Sequence, residues 1–413
     1  MSKGYFLTTI VNNALPFLLL PIMTRYLTTA EYGMLSLFSF YMVIAFSLIG
    51  ASIPVVVSKN FFEQDKGYIA ELTGNCVRFS FVLMMIAESV IVCIYPFIHQ
   101  YLSLPMLWMM AIPIGAFAQV IFSLGLTICR NRKKVSHFGC HQIANTTINV
   151  LISLILVCLF LWGWYGRAIG MVLSFICSAI AMLFYLYHEG YIEWRYSKKQ
   201  IKVIKKIALP LFPNAVMLNI ISQVGLFFMQ LNFTKELLGL YSLGFQIAFC
   251  LKLLVDTLAM SWDPFLYQQL SLNGGMNKLY VTRLLWGLII ALFLGAAAII
   301  LMTKPVLWLM TTPDYYSAAQ FVPWFVLGMF FYGVHVFVRP LLIKHNQQLY
   351  IGKVSFISMI VMIVTNIYFS KLFGYMGIVY AYCFSYVFMS LILIRRAQNI
   401  TNLPLVEALM IWK

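Results

Sequence analysis

Long apolar runs alternate along the whole chain with short polar stretches. A membrane-spanning helix needs about 20 apolar residues, whereas barrel strands alternate polar and apolar positions. The pattern therefore predicts an all-α membrane protein with about twelve transmembrane helices in two six-helix bundles. The predicted segments, bounded by charges, prolines and glycines, are residues 4–24, 33–58, 69–98, 105–129, 139–161, 164–187, 207–230, 237–262, 281–303, 317–338, 350–371 and 374–394.

Composition supports this class of protein. Of the 413 residues, 62% are apolar and only 10% are charged, whereas soluble domains have about 25% charged residues. This high apolar and low charged content excludes a soluble globular domain and a disordered chain. The eight cysteines lie mostly inside apolar runs without a CxxC pair, so we interpret them as small buried residues.

The positive charges predict the orientation in the membrane. The chain has 28 Lys and Arg and a net charge of +16, but the basic residues lie in short loops, which argues against a nucleic-acid partner. With the N-terminus inside, 22 of the 28 fall on the cytoplasmic side. The positive-inside rule then predicts both termini in the cytoplasm of a multi-pass protein of the bacterial inner membrane.

A basic connection predicts the division into two halves. Residues 188–206 form the longest connection. Thr28–Leu37 (TTAEYGMLSL) and Thr234–Leu243 (TKELLGLYSL) share four residues at an offset of half the chain, which favours two parallel repeats with the substrate between the halves. The predicted domains are an N-terminal bundle (1–190), a basic cytoplasmic linker (191–206), a C-terminal bundle (207–397) and a cytoplasmic tail (398–413).

No catalytic motif is visible in the sequence. The phosphate-binding loop GxxxxGK[ST] and the motifs HExxH and GxSxG are absent, and no paired-carboxylate cluster occurs. His137 and His141, with Cys140 beside them, have the spacing of metal ligands on a helix, but polar residues at a cytoplasmic helix end are the interpretation we favour. We therefore expect a transporter without a catalytic site, cofactor or metal.

Charged residues inside predicted spans are costly, so each is a candidate for the transport path. Glu88 lies in the middle of the third segment, where it either lines a cavity and exchanges protons or is a protonated group bonded to a neighbouring helix. Lys252 and Asp256 share one face of the eighth segment. We expect this pair to line a cavity, because a dry ion pair rarely offsets its desolvation; an internal salt bridge is the alternative.

Three arginines near the ends of spans complete the charged candidates. Arg78 in the third segment and Arg339 at the end of the tenth both lie near the cytoplasmic boundary, so each is either a snorkelling anchor or a contact for lipid headgroups. Arg25 ends the first segment on the outer side, against the charge bias, and would either meet an anionic group or pair with Glu31.

Side-chain amides recur within the spans. Amides both donate and accept hydrogen bonds, which suits sugar hydroxyls, although hydrogen bonding between helices explains each one equally well. The amide candidates for a substrate cavity are Asn12, Asn145, Asn149, Asn219 and Gln223.

The stretch Leu15–Gly33 (LPFLLLPIMTRYLTTAEYG) contains two prolines, a Thr-Arg-Tyr-Leu run and a Glu-Tyr-Gly triplet. It resembles the opening of Wzx-type O-antigen flippases of the multidrug/oligosaccharidyl-lipid/polysaccharide exporter superfamily. The resemblance implies that undecaprenyl-pyrophosphate-linked oligosaccharide repeat units of O-antigen or a similar polymer cross to the periplasmic leaflet by alternating access. It also implies membrane lipids, a polysaccharide polymerase and a chain-length regulator as partners, and it carries over only Arg25 as a candidate contact.

Two other classes of protein remain open. An ion-coupled small-molecule or drug antiporter of the same superfamily would also have twelve helices, with a carboxylate such as Asp256 as its ion site. Polysaccharide polymerases carry catalytic arginines on a large external loop, and the longest external loop predicted here, residues 304–317, is too short for that role.

Overall fold

Helices account for the regular structure of the chain. The computed structural model describes residues 19–50, 52–270 and 278–401, and no strand occurs within these ranges. The predicted all-α class is therefore confirmed. The helices are α1 (described over residues 19–26), α2 Thr29–Ile49, α3 Ile53–Asn60, α4 Lys66–Ile98, α5 Met106–Asn131, α6 Val135–Leu154, α7 Gly163–His188, α8 Lys198–Asn232, α9 Lys235–Leu270, α10 Lys278–Met310, α11 Val322–Lys344, α12 Gln348–Phe373 and α13 Tyr375–Thr401.

Most predicted spans coincide with one long helix. In the part of the chain that the structure describes, 10 helices are long and apolar enough to cross a membrane: α2, α4 to α7 and α9 to α13. Helix α8 covers the predicted seventh span but begins in the lysine-rich stretch that starts at Lys198. The first predicted span, residues 4–24, lies mostly outside the described residues, so the total of twelve stays a prediction.

The prediction of one continuous segment over residues 33–58 was wrong. The structure divides it into α2 and the short helix α3. Gly50 ends α2 with backbone angles that are not helical, and Pro54 lies in the first turn of α3, where its missing N–H costs nothing. A Cβ atom on Gly50 would lie 2.8 Å from a side-chain methyl of Val120 in α5, so a larger residue at the end of α2 would require Val120 to shift.

The helices group into two compact units. Within unit 1, α5 packs against α2, α3, α4 and α7, and α6 packs against α7. Within unit 2, α11 packs against α10 and α13, and α12 packs against α13. Unit 1 consists of Met1–Leu226 and Gln230–Gly239, and unit 2 of Phe227–Met229 and Leu240–Lys413.

Two glycines allow a close helix contact within unit 1. A Cβ atom on Gly33 of α2 would lie 2.5 Å from the carbonyl oxygen of Lys235, and one on Gly239 would lie 1.9 Å from that of Thr29. Such backbone approach is characteristic of small residues at membrane helix contacts. Gly33 and Gly239 occupy equivalent positions of the sequence repeat. The two copies of the repeat therefore contact each other at these glycines.

Candidate functional site

Lys252 and Asp256 form an ion pair on α9 in unit 2. Lys252 Nζ lies 2.5 Å from Asp256 Oδ2, and 30% and 38% of the two side chains are exposed. The helix places both on one face, as their spacing of four residues predicts. The pair is therefore open on one side, in a helix long and apolar enough to span a membrane.

Two aromatic side chains complete this group, which we call the Lys252 cluster: Lys252, Asp256, Phe249 and Tyr332. The Tyr332 hydroxyl of α11 donates a hydrogen bond of 3.3 Å to Asp256 Oδ1. Lys252 Nζ lies 5.4 Å from the centre of the Tyr332 ring and 5.3 Å from that of Phe249, within the range of cation–π attraction. An ammonium group has three N–H donors, so the cluster can present a positive charge to an anion.

A second ion pair lies further along the same two helices. Arg339 Nη2 of α11 lies 3.8 Å from Asp263 Oδ2 of α9, about 16 Å from the level of Lys252 at 1.5 Å per residue. Arg339, predicted as an anchor or headgroup contact, thus has an acidic partner. Asp263 Oδ1, Arg339 Nε and His335 Nδ1 are buried without a partner in the described chain, and such groups ordinarily hold internal water.

Arg167 forms a polar network in unit 1 that sequence reasoning missed. Its Nη1 donates to Asn149 Oδ1 and, at 2.7 Å, to Ser153 Oγ; Asn149 Nδ2 donates to Ser174 Oγ at 3.1 Å. Arg167 falls within the predicted span 164–187 without being singled out as a candidate, and it lies inside α7. No ion pair joins it to another described residue. A lone arginine near the predicted end of an apolar run gives no signal that it turns inward.

The remaining amide candidates lie in unit 1. Asn145, 8% exposed, accepts a hydrogen bond of 3.0 Å from Ser178 Oγ between α6 and α7, which is a helix–helix contact. Asn219 Nδ2 donates to Ser47 Oγ at 2.7 Å. Gln223 is half-buried and makes no hydrogen bond to another described residue. Asn12 lies outside the described residues.

An apolar cavity of about 460 Å³ adjoins this part of unit 1. Residues from α2, α3, α4, α5 and α8 line it, and its polar lining includes Tyr41 and Ser47. Tyr41 donates a hydrogen bond of 2.9 Å to Gln230 Oε1. Together with Asn219, these hydroxyls and amides form a polar edge on an otherwise apolar space, a second feature that the sequence did not indicate.

Glu88 stands alone in the middle of α4. Both of its carboxylate oxygens are buried without a hydrogen-bond partner in the described chain. The alternative in which Glu88 bonds to a neighbouring helix therefore finds no partner among these residues. Its neighbours Ala87 and Ile91 line the 460 Å³ cavity, but Glu88 itself does not.

Arg25 and Arg78 have different surroundings. Arg25 is exposed at the end of α1 and forms no ion pair with Glu31, whose carboxylate instead accepts from the backbone N–H of Thr28 at 2.9 Å in the N-cap of α2. Arg78 Nη2 donates to the carbonyl oxygen of Trp194. Arg25 thus forms no ion pair or hydrogen bond through its guanidinium with another described residue, whereas Arg78 is tied to the connection between α7 and α8.

A basic clamp holds the end of α7. Arg132 Nη2 and Lys134 Nζ lie 2.7 and 3.0 Å from the two carboxylate oxygens of Glu189. These hydrogen bonds lower the pKa of Glu189 to about 2, because they stabilise the ionised form. The clamp joins the α5–α6 connection to the α7–α8 connection.

The two histidines considered as metal ligands pack on an aromatic ring. The centres of the His137 and His141 rings lie 5.3 and 5.1 Å from that of Tyr185. Over residues 19–50, 52–270 and 278–401, no three His, Cys, Asp or Glu side chains form a group that could hold a metal ion.

Comparison with known proteins relates this architecture to membrane transporters. An uncharacterized membrane protein of Haemophilus influenzae is 24% identical over 401 residues, covering 90% of this chain and 89% of that protein. Solved structures of membrane proteins share the fold as well. One is the inward-facing conformation of a multidrug resistance MATE family transporter of the MOP superfamily, with a TM-score of 0.73, 14% identity and coverage of 95% of this chain and 96% of that one.

The second structure is the lipid II flippase MurJ in its inward closed conformation. It has a TM-score of 0.74 and 13% identity, and the match covers 98% of this chain and 90% of that one. The family model described as polysaccharide biosynthesis protein matches residues 4–269, which is more than half of the chain. With its multi-pass all-α architecture, the chain belongs to the polysaccharide biosynthesis protein family.

Proposed function

We propose that this protein is a flippase that moves undecaprenyl-pyrophosphate-linked oligosaccharide units of O-antigen or a similar surface polysaccharide. The units pass from the cytoplasmic to the periplasmic leaflet of the bacterial inner membrane by alternating access. The observation that carries the proposal is the Lys252 cluster: a part-exposed cation within a spanning helix, in a chain of a polysaccharide biosynthesis family.

A flippase for such a lipid has one main physical task, to carry a pyrophosphate past hydrocarbon. Bare charge in a bilayer costs at least several kcal/mol, and a fixed ammonium group offsets part of that cost. Asp256 and the two rings hold Lys252 in place without using all of its N–H donors. A negative-inside potential favours outward movement of the anion by about 2.3 kcal/mol per charge per 100 mV.

The sugar part needs donors and acceptors rather than charge. Unit 1 offers Tyr41, Ser47, Asn219 and Gln230 beside an apolar cavity, and hydroxyls and amides can bond sugar hydroxyls in either direction. Arg167 adds a positive charge whose partners in the described chain are neutral. We assign sugar recognition to these groups and pyrophosphate binding to Lys252.

A second candidate function is an ion-coupled antiporter of small cationic molecules. The similarity to a multidrug resistance MATE transporter favours it, as does the exposed carboxylate of Asp256. In that case Asp256 would bind the coupling ion, and cells that produce the protein would survive toxic cations at higher concentrations.

Deletion of the gene tests the main proposal. We expect lipid-linked sugar units to accumulate on the cytoplasmic leaflet and the surface polymer to disappear, and the wild-type gene to restore it. The variant Lys252→Met should fail to restore the polymer, whereas Lys278→Met, which removes an exposed lysine at the start of α10, should succeed. Unchanged polymer in a strain without another flippase contradicts the proposal, and raised resistance to toxic cations supports the antiporter.

Loss of transfer also removes the substrate of later enzymes. A polysaccharide polymerase and a chain-length regulator would act on the unit after its transfer, so we propose them as functional partners in the same membrane. Co-purification of the polymerase with the tagged flippase tests a physical contact.

A further inference from the structure

A lateral pocket of about 720 Å³ lies in unit 1, and none of the polar groups assigned to transport lines it. It is lined by the first half of α4, by α5 and α7, by the start of α8, and by the connecting segment between α7 and α8, residues 189–197. The charge distribution predicts that this end of the helices faces the cytoplasm.

Specific contacts hold the connecting segment against α4. The fully buried Asn75 donates through Nδ2 to the carbonyl oxygen of Arg195 at 2.9 Å and accepts through Oδ1 from the backbone N–H of Ser197 at 3.2 Å. A Cβ atom on Gly74 would lie 2.0 Å from the carbonyl oxygen of Glu193. The segment therefore lies flat on α4, and the pocket that it closes is a built feature of the fold.

Two cations without acidic partners face this pocket. Arg78 uses Nη2 to bind the carbonyl oxygen of Trp194, which orients the guanidinium and leaves other N–H groups for a ligand. Lys205, an exposed residue of α8, also lines the pocket. Neither cation forms an ion pair with another described residue, and no carboxylate is among the lining residues. The polar end of the pocket is therefore positive.

The rest of the wall is apolar and partly open. Phe81 and Val82 of α4 are 47% and 54% exposed, on a helix surface that would face lipid. Phe117 and Leu183 continue the apolar wall inwards. Trp194, at the rim, has the amphipathic character typical of membrane interfaces. A positive end beside an apolar wall fits a molecule with a phosphate at one end and a hydrocarbon chain at the other.

We infer that this pocket is a binding site for an anionic phospholipid of the bilayer. Arg78 and Lys205 bind the headgroup phosphate, and the first part of an acyl chain lies against Phe81 and Val82. Basic pockets between helices on the cytoplasmic side are typical of such sites. The described lining contains no Asn, Gln, Ser or Thr side chain, and its one hydroxyl group belongs to Tyr196. It therefore offers few groups that bond sugar hydroxyls in either direction, which favours a bilayer lipid over the transported one.

Lipid titration of the purified full-length protein tests the site. Native mass spectrometry would compare the first bound phosphatidylglycerol with phosphatidylcholine of the same chain length. Each basic residue near an anionic lipid contributes about a factor of five to affinity, so the double variant Arg78→Gln, Lys205→Gln should bind phosphatidylglycerol about 30-fold more weakly. The single variant Lys205→Gln should lose about five-fold, and it keeps the bond between Arg78 and Trp194.

The double variant Lys198→Gln, Lys202→Gln is the matched control. It removes two exposed lysines from the same helix that do not line the pocket. Salt screens exposed charges that do not contact the lipid, so affinity should change less than three-fold. Equal binding of both lipids by the wild type, or an equal loss in the control, would overturn the inference. Displacement of phosphatidylglycerol by a lower concentration of a polyprenyl pyrophosphate would overturn it in favour of the transported lipid.

Discussion

Replacement of Lys252 and Asp256, singly and together, separates a transport role from a structural one. In the structure, Lys252 lies between Asp256 and the rings of Phe249 and Tyr332. Asp256→Asn leaves the ammonium without its counter-ion but keeps a hydrogen-bond acceptor for Tyr332. Lys252→Met keeps most of the apolar length of the side chain and removes the charge.

The partial exposure of the ion pair determines how much stability and transport each variant should lose. Breaking a fully buried ion pair costs about 3–5 kcal/mol. Here about a third of each side chain is exposed, so solvent screens the pair and we expect each single variant to lose about 1–2 kcal/mol of stability. A hydrogen bond to a charged group contributes about 1.5–3 kcal/mol, so loss of the pyrophosphate contact in Lys252→Met should lower transport at least about ten-fold.

Two kinds of measurement distinguish a loss of stability from a loss of transport. Thermal unfolding in detergent and membrane abundance report on stability, while surface polymer in the deletion strain reports on transport. Asp256→Asn should keep partial transport, because Lys252 remains. The double variant Lys252→Met, Asp256→Leu should regain the stability that either single change loses and still fail to transport. Full transport by this double variant would refute the assignment of pyrophosphate binding to Lys252.

Three further predictions concern packing, pH and topology. Gly239→Ala should lower the melting temperature, because its Cβ atom would lie 1.9 Å from a carbonyl oxygen of α2, whereas Gly352→Ala, with no atom within 4 Å, should not; equal melting of both variants would contradict this packing. The carboxylate of Glu189 has its pKa lowered from 4.5 to about 2, so its contribution to stability is complete above about pH 4.5 and is lost as the pH falls towards 2. The difference in melting temperature between wild type and Glu189→Gln should therefore shrink over that window, and a constant difference would argue against the clamp. A reporter that is active only outside the cytoplasm should be inactive when fused after Lys199 and active after Lys304, and the reverse pattern would overturn the predicted orientation.

The sequence by itself determined the class of protein and most of the helices. Apolar runs of spanning length must form helices, because hydrocarbon offers no partners for backbone N–H and C=O groups. Local spacing also determined that Lys252 and Asp256 share one face and can pair. The break between α2 and α3 was missed, because Gly50 and Pro54 lie within an uninterrupted apolar run.

Only the tertiary structure decided which residues of different helices meet. Tyr332 reaches Asp256 across 76 positions of the sequence, and Arg78 reaches Trp194 across 116. Hydropathy cannot predict such pairs, since a helix in a membrane is apolar on the faces that touch lipid as well as on those that touch other helices. Arg167 illustrates the same limit: the sequence shows only an arginine near the start of an apolar run, and packing of α7 against α6 brings it to Asn149 and Ser153.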